Sequence, residues 1–290
     1  MTTEGPEFGL CLPQFTTDGA STVRAAQSAQ DDGYDAVSLF DHLRPLGGSP
    51  DRPILECLTM LTAVAAGTSR IRLLPLVLRA PMRPPATVCA VFRTLEQLAP
   101  GRLVCAVGGG DKLNEAEDLS VGLPALTGEQ RRAAIRELVG VLRASMPEVP
   151  VWIGGTGPAM KALAGEIADG WNVWGATPEQ VRMGSAEVLS AAGQHGRPGP
   201  RITWGGQVVL ADTTAQAEEG VHSWGAGRSA AELAGVVRGD AGAVASQLRE
   251  LVHAGAQTLM LSFVGPGAAS ARRTFARDVL PVVRRPGPAI

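Results

Sequence analysis

The sequence predicts an α/β protein, a closed barrel of eight parallel strands that are each followed by a helix. Short apolar segments alternate with longer amphipathic ones from one end of the chain to the other, and no low-complexity linker divides them. The length of 290 residues permits one barrel or two domains. The uninterrupted pattern favours one domain over residues 1–290, with two stacked open sheets as the alternative.

Apolar segments of strand length recur between helical patterns. The predicted strands are 8–13, 35–40, 71–78, 102–107, 149–154, 170–174, 201–210 and 257–263. The predicted helices between them are 20–33, 54–68, 84–98, 128–144, 158–168 and 178–192. A glycine ends the first helix and a proline begins the third, as is typical of helix ends. The stretch 214–240 is longer and richer in glycine than one helix needs, so it predicts helical pieces around a mobile loop.

Composition excludes several classes of function. The net charge is -2, which gives no electrostatic reason to bind nucleic acid or a membrane surface. The N-terminus lacks a leader pattern, and no window approaches about 18 uncharged apolar residues. We therefore expect a cytoplasmic protein that acts on a small molecule.

The four cysteines lie inside apolar segments. Cys11, Cys57, Cys89 and Cys105 show neither Cys-x-x-Cys spacing nor nearby histidines, so they predict small buried side chains, not zinc ligands or disulfides. No metal site is expected.

Chemistry in such a barrel belongs at the carboxyl ends of the strands. Asp41 and His42 follow the second predicted strand. A histidine beside an acid is suited to general acid–base catalysis, because the ordinary histidine pKa of about 6.5 lies near working pH. The alternative is a helix cap in which Asp41 bonds backbone amides and His42 is solvated.

The loop after the fifth strand, "GGTGP", contains Gly154, Gly155, Thr156 and Gly157 directly before a helix that begins with proline. Outward backbone N–H groups at a positive helix end predict a phosphate site, whereas the alternative is a tight turn that needs glycine. No glycine stands at the sixth position of a dinucleotide fingerprint, and the next strand lacks the ribose-binding acid. NAD is therefore disfavoured.

The fourth strand ends in "GGGDKLNE". Its glycines permit a flat cofactor to approach the backbone, and Asp111 and Asn114 could contact the edge of that cofactor. The alternative is turn geometry followed by a solvated helix start.

Together these residues resemble the bacterial luciferase-like family of flavin and deazaflavin oxidoreductases, which are eight-stranded β/α barrels. The similarity rests on "FDHL", on the stretch from "TSRIRLLPLVLRAPMRPP" to "LEQLAPGRLVCAVGGG", and on "PVWIGGTGP", "ADGW" and "HAGAQTLML" in that order. It covers nearly the whole chain. Within the family, "GGGDKLNE" is similar to the "Gly-Thr-Gly-Glu-x-Leu-Asn-Glu" stretch of glucose-6-phosphate dehydrogenases that use coenzyme F420, a 5-deazaflavin.

The resemblance implies roles for individual residues. His42 would lie beside the reacting carbon and shuttle a proton, and Asp111 would stand in place of a glutamate acid. A non-proline cis peptide is implied near Leu76 and Val77. The residues implied to contact the cofactor or its phosphate are Asp41, Leu76, Val77, Gly109, Gly110, Asn114, Gly154, Gly155, Thr156, Gly157, Gly175, Ala176 and Thr177.

The chain also departs from that pattern. Leu46 replaces a tryptophan, and the lysine expected after the sixth strand is absent, so a sugar-phosphate substrate is not supported. The connection from the fourth helix to the fifth strand is short, where many relatives insert a segment over the substrate. Another loop, such as 222–240, or a second subunit in a homodimer would then supply the cover.

The leading hypothesis is hydride transfer between coenzyme F420 and a small organic substrate. The second is an FMN-dependent monooxygenase, and the third is a barrel that binds a cofactor without turnover. Arg44, Arg79 and Arg83 are expected either to bind an acidic substrate or to face water. Glu56 is interpreted as a structural hydrogen-bonding residue, and Trp152, Trp171 and Trp174 as packing residues.

Overall fold

The chain folds as a β/α barrel in which helices surround a ring of parallel strands. The computed structural model describes residues 5–45, 52–111 and 114–285. The strands in these residues are β1 (Glu7–Cys11), β2 (Ala36–Leu39), β3 (Arg72–Pro75), β4 (Leu78–Arg79), β5 (Cys105–Gly108), β6 (Val151–Gly154), β7 (Gly170–Trp174), β8 (Arg201–Leu210), β9 (Val237–Gly239) and β10 (Thr258–Phe263).

The α-helices lie between and after these strands along the chain. They are α1 (Gly19–Asp31), α2 (Cys57–Gly67), α3 (Pro85–Leu98), α4 (Glu115–Ser120), α5 (Gly128–Ser145), α6 (Pro158–Ile167), α7 (Pro178–Gln194), α8 (Thr214–Trp224), α9 (Ala230–Leu233), α10 (Ala241–His253), α11 (Ala268–Thr274) and α12 (Leu280–Val283). A 3₁₀ turn (Ala80–Met82) and a π-helical turn (Phe275–Val279) complete the list.

The sheet runs in the order β3-β2-β1-β10-β8-β7-β6-β5-β4, and every pairing in it is parallel. A parallel bridge between Leu73 and Leu103 joins its two ends. Leu73 donates to the Arg102 carbonyl at 2.9 Å and accepts from Val104 N–H at 3.0 Å. The barrel is therefore closed, and it has eight strands when β3 and β4 are counted as one and β9, which pairs only with β8, is left out.

The third predicted strand is interrupted, and this corrects the continuous segment 71–78. β3 ends at Pro75, β4 begins at Leu78, and the Leu76–Val77 peptide bond between them is cis. The cis bond lies where the family resemblance implies it. β4 then pairs with β5, with Leu78 opposite Val107.

The stretch 214–240 contains the helical pieces that its sequence predicts. They are α8 and α9, with residues 225–229 between them, and the chain then enters strand β9, which the sequence does not predict. β9 pairs with the far end of β8, with Val208 opposite Val237, so it extends the sheet beyond the barrel. The C-terminal helices from 268 to 283 have no counterpart among the predicted elements.

The core has two layers. Inside the barrel, a small cluster includes Cys11, Leu76, Trp152 and Met260. Between the strands and the helices lies the larger cluster, where the side chains of Trp171 and other large residues are fully buried. Both tryptophans pack, as predicted, and all four cysteines are buried and free of disulfides.

Helix starts follow local sequence signals. Thr127 accepts a hydrogen bond from the Gln130 amide while the Gln130 side chain accepts from the Thr127 amide, which is a capping box at the start of α5. Thr177 and Gln180 form the same motif at α7. The connection from α5 to β6 contains only residues 146–150, as the short sequence there predicts. No helix among the described residues is long and apolar enough to span a membrane.

Candidate active site

Polar side chains gather at the carboxyl ends of three neighbouring barrel strands. His42 follows β2, Arg79 ends β4, and Gly108 ends β5. These strands are adjacent in the ring, and the carboxyl ends of parallel strands carry the active sites of such barrels. His42 and the glycines at 108–110 therefore lie at the same end of the barrel, as the sequence predicts.

His42 is bound by a carboxylate that the sequence did not point to. Its Nδ1 lies 2.9 Å from Glu117 Oε2, and the two side chains are 17% and 4% exposed. Glu117 Oε1 accepts hydrogen bonds from the backbone N–H groups of Leu43, at 2.5 Å, and Arg44, at 3.2 Å. His42 thus contacts the acid Glu117 on α4.

The surroundings of Glu117 keep it ionised. Burial alone would raise the pKa of this carboxyl group. The hydrogen bonds from His42 and from the Leu43 amide, together with the charge of Arg79, outweigh burial and lower the pKa to about 2. Glu117 therefore carries a negative charge at neutral pH.

Arg79 connects α4 to two strand ends. Its Nη2 lies 2.8 Å from Glu117 Oε1, and its Nη1 lies 2.7 Å from Asp118 Oδ1. Its Nε donates to the Asp41 carbonyl oxygen at 2.9 Å, and its backbone N–H donates to Asp41 Oδ2 at 2.8 Å. The Arg79 side chain is buried, and each of its three nitrogens donates to an oxygen of the protein, so Arg79 does not face water and is already paired with two carboxylates.

Asp41 is held by a second arginine. Arg83 binds the carboxylate through both terminal nitrogens, each at 2.8 Å, and also contacts Glu56 Oε1 at 2.8 Å. The Asp41 side chain is 0% exposed. Glu56 accepts from the Thr59 amide at 2.7 Å and so caps α2, which agrees with its interpretation as a structural hydrogen-bonding residue. Asp41 therefore anchors the end of β2 with both of its oxygens occupied.

The side chain of Val77 fills the space beside the glycine that ends β5. A Cβ on Gly108 would lie 2.5 Å from Val77 Cγ2, and a Cβ on Gly154 would lie 2.9 Å from Val77 Cγ1. Two neighbouring strands thus lack side chains where Val77 projects from the cis peptide. The absence of a Cβ at Gly108 is explained by this contact, without any ligand.

The next residues form a tight turn. Gly110 has φ of +70°, a region that favours glycine, and a Cβ there would lie 3.5 Å from Arg79 Cδ. The buried Asn114 side chain accepts a hydrogen bond from the Asp111 backbone N–H at 2.9 Å. Asp111 itself is exposed at the surface of this turn. Gly109 packs against Arg131, because a Cβ on it would lie 2.9 Å from Arg131 Cβ.

Two helix N-termini lie beyond β6 and β7. Gly155 and Gly175 have φ of 143° and 63°, and these turns lead into α6 and α7. Among the described residues, none accepts a backbone hydrogen bond from the N–H of Thr156 or Gly157. The N–H groups of Thr156 and Gly157, before the ten-residue helix α6, could therefore donate to a phosphate. The N–H groups of Gly155, Gly175 and Thr177, which are also predicted phosphate residues, already donate within the protein, to Asn172 O, Gly205 O and Gln180 Oε1.

A segment that follows the neighbouring strand β8 contacts this region. A Cβ on Gly235 would lie 1.8 Å from the carbonyl oxygen of Gly175. Nearby, Trp204 Nε1 donates to the Ala176 carbonyl at 2.8 Å. The segment 225–236 therefore packs directly on the loop after β7, in the part of the chain expected to provide a cover.

Apolar side chains border the polar cluster. Phe40, which precedes Asp41, meets Trp174 at the end of β7 in an edge-to-face contact with ring centroids 5.4 Å apart. Leu76 is buried against these rings, and Val77 is partly exposed. A partly exposed apolar wall and the N-termini of α6 and α7 at the same end of the barrel are compatible with a planar heterocycle that has a phosphorylated tail.

Three residues of this cluster were missed or left open by sequence reasoning. Arg79 and Arg83 stand among many surface arginines, and only the fold shows that they pair with Asp41. Glu117 lies in a run of acids that predicts a solvated helix, and no local signal marks it as the one that turns inward. Leu46, which replaces a family tryptophan, lies outside the described residues.

Comparison with known proteins agrees with this architecture. The model of the luciferase-like monooxygenase family matches residues 7–268. An F420-dependent glucose-6-phosphate dehydrogenase from Beutenbergia cavernae is 34% identical over 180 residues, which are 52% of this chain and 50% of the relative. The chain thus spans about half the length of the curated relatives it matches.

Two solved structures have the same fold. An F420-dependent secondary alcohol dehydrogenase in complex with an F420-acetone adduct matches with a TM-score of 0.83 at 18% identity, covering 97% of this chain and 100% of that one. The oxygenating constituent of 3,6-diketocamphane monooxygenase from Pseudomonas putida, in complex with FMN, matches with a TM-score of 0.76 at 15% identity, covering 97% and 100%. The family match covers most of the chain, and this protein belongs to the luciferase-like monooxygenase family.

Proposed function

We propose that this protein transfers a hydride between coenzyme F420 and a small organic substrate, and that His42 moves the accompanying proton. The observation that carries the proposal is the placement of His42 at the carboxyl end of β2, where its Nδ1 is held by Glu117. The similarity to F420-dependent glucose-6-phosphate dehydrogenases over half of the chain supports the choice of cofactor.

Residues of this chain would bind the cofactor in two places. Leu76 and Val77 would support the ring, with Gly109, Gly110 and Asn114 along its edge. The loops after β6 and β7 would hold the phosphate through Gly154, Gly155, Thr156, Gly157, Gly175, Ala176 and Thr177. When bound, a 5-deazaflavin supplies the carbon that accepts or releases a hydride.

His42 would act through its free nitrogen. The substrate's reacting carbon loses a hydride while Nε2 of His42 accepts the proton that the same substrate releases, so two electrons and both hydrogens are accounted for. Because both oxygens of Asp41 are bound, we assign it to holding β2 and the ligand-facing backbone in place. Asp111 remains the proposed second acid, on the surface of the adjacent turn.

The expected substrate is small and weakly charged. The phenyl ring of Phe40 and the indole of Trp174 border the site. Arg79 and Arg83 are already paired with carboxylates, while Arg44 is exposed at the surface. We propose that the segment 225–236 contributes to covering the site, since Gly235 lies against Gly175. A homodimer stays a prediction.

An FMN-dependent monooxygenase is the second candidate, supported by the structural match to a monooxygenase in complex with FMN. The two candidates differ in their cofactor and in their use of dioxygen. Reduced FMN with dioxygen and a substrate panel should give no oxygen uptake above the free-flavin rate if the F420 proposal is correct.

The proposal is tested by titrating the protein with coenzyme F420 and with FMN and following fluorescence. We expect saturable micromolar binding of F420, retained in His42→Ala, and much weaker binding of FMN. Saturable binding of FMN alone would overturn the assignment.

A further inference from the structure

The carboxylate of Glu117 is held on both of its oxygens. Oε2 contacts His42 Nδ1, while Oε1 accepts from Arg79 Nη2 and from two consecutive backbone N–H groups. Its side chain is 4% exposed. Water therefore competes little for these contacts, and the position of the carboxylate is set from several directions.

The anchoring of α4 explains why Glu117 stays in place. Arg79 also binds Asp118, the next residue of the same helix, at 2.7 Å. The guanidinium is fixed in turn by the carbonyl oxygen of Asp41. Two ion pairs to one buried arginine dock the helix, so Glu117 meets His42 from a rigid support.

This contact decides which nitrogen of His42 carries the proton. An ionised carboxylate only accepts hydrogen bonds, so Nδ1 of His42 must be the donor. In the neutral imidazole the lone pair then lies on Nε2. Free histidine prefers the opposite tautomer, with the proton on Nε2. The position of Glu117 therefore selects the form in which Nε2 acts as a base.

We infer that Glu117 is a positioning residue for the proton transfer, fixing both the tautomer and the orientation of His42. This inference rests on the proposed function, in which Nε2 of His42 exchanges a proton with the substrate. Glu117 does not itself contact the reacting atoms. If its role were only to anchor α4 through Arg79, Asp118 would be equally important to the histidine.

The test compares two variants on the same helix. Imidazole ¹⁵N shifts of the cofactor-free protein report which nitrogen is protonated, and His42→Asn assigns the His42 signals among the four histidines. We expect the Nδ1–H tautomer in the wild type and in Asp118→Ala, and a shift to Nε2–H in Glu117→Ala. Glu117→Gln, which keeps an acceptor oxygen in the same volume, should give a mixture. Circular dichroism identifies any variant that fails to fold, in which case Glu117→Gln decides.

The inference is overturned if Glu117→Ala and Glu117→Gln both keep the Nδ1–H tautomer, or if Asp118→Ala shifts it equally. Turnover and the affinity for F420 are measured in experiments separate from the tautomer measurement. With F420 and a turned-over substrate, Glu117→Ala should slow proton-coupled reduction by about 10²- to 10⁴-fold, while the dissociation constant of F420 changes less than about twofold. If F420 does not bind the wild type, the proposed function fails, whereas the tautomer result still stands or falls by itself.

Discussion

Val77 projects into the space that a side chain on Gly108 would occupy. A Cβ at that glycine would lie 2.5 Å from Val77 Cγ2, which is closer than real Cβ contacts. Gly154 on the neighbouring strand contributes to the same recess, with its Cβ position 2.9 Å from Val77 Cγ1. Contact with Val77, which lies between β3 and β4, therefore explains why neither position carries a side chain.

The first prediction concerns Gly108→Ala. We expect a loss of about 1–3 kcal/mol in the free energy of unfolding, because the new methyl group overpacks the recess. Urea unfolding measures the change. In a Val77→Ala background the same substitution should cost much less, and an equal cost in both backgrounds would show that the recess is not the cause. Gly140→Ala in α5, where a Cβ meets no atom within 4 Å, is the control and should stabilise by up to about 1 kcal/mol.

The second prediction concerns Gly235→Ala. The added Cβ would lie 1.8 Å from the Gly175 carbonyl oxygen, so either 225–236 or the loop after β7 must move. Since that loop is proposed to hold the cofactor's phosphate, we expect the affinity for F420 to fall about tenfold, or about 1.4 kcal/mol. Fluorescence titration measures it. The control is Gly193→Ala, in an open position of α7, which should leave the affinity for F420 unchanged. If both variants bind F420 equally well, the segment 225–236 does not influence cofactor binding.

The third prediction concerns the pH dependence of stability. Folding lowers the pKa of Glu117 from 4.5 to about 2 because its hydrogen bonds and Arg79 outweigh burial. A lowered pKa stabilises the folded state above the unfolded pKa, and this contribution is lost as the pH falls toward the folded pKa. The difference in unfolding free energy between the wild type and Glu117→Gln should therefore be constant above about pH 6 and shrink from about pH 4.5 downward.

Urea unfolding at a series of pH values measures this difference. The control is Glu137→Gln on the exposed face of α5, which should change stability by less than about 0.5 kcal/mol throughout. A difference for Glu117→Gln that grows on acidification would contradict the assigned charge.

The fourth prediction concerns thiol reactivity. Burial raises the pKa of Cys11 to about 12, and it also raises the pKa of Cys57 and of Cys105. Thiolates are the reactive form, so we expect no labelling of these three cysteines by a thiol reagent in the native protein and complete labelling in denaturant. Rapid native labelling of any of these three cysteines would show that the surrounding core opens.

Much of the barrel follows from local patterns. Segments such as 170–174 and 201–210 are apolar and bounded by helical patterns, and both form strands with the predicted bounds. The position of His42 at a strand end follows from the order of elements in the same way. The break after Pro75 is different, because "IRLLPLVL" reads as one apolar run and only the family resemblance implies the cis bond.

The remaining features depend on contacts between distant parts of the chain. Glu115, Glu117 and Asp118 are similar acids in one short helix, and the docking of α4 on Arg79 decides which of them reaches His42. Strand β9 forms because β8 is long enough to leave an unpaired end. The glycines from 108 onward predict room for a cofactor, whereas the side chain nearest to a Cβ built at position 108 is that of Val77.

The central claim is that His42 and the Val77 region face one planar cofactor, and a crystal structure with bound F420 tests it most directly. We predict the deazaflavin ring against Val77, its phosphate at the N-termini of α6 and α7, and His42 Nε2 within about 3–3.5 Å of the reacting substrate position. A ring bound elsewhere, or on the side of the barrel away from His42, would contradict the account.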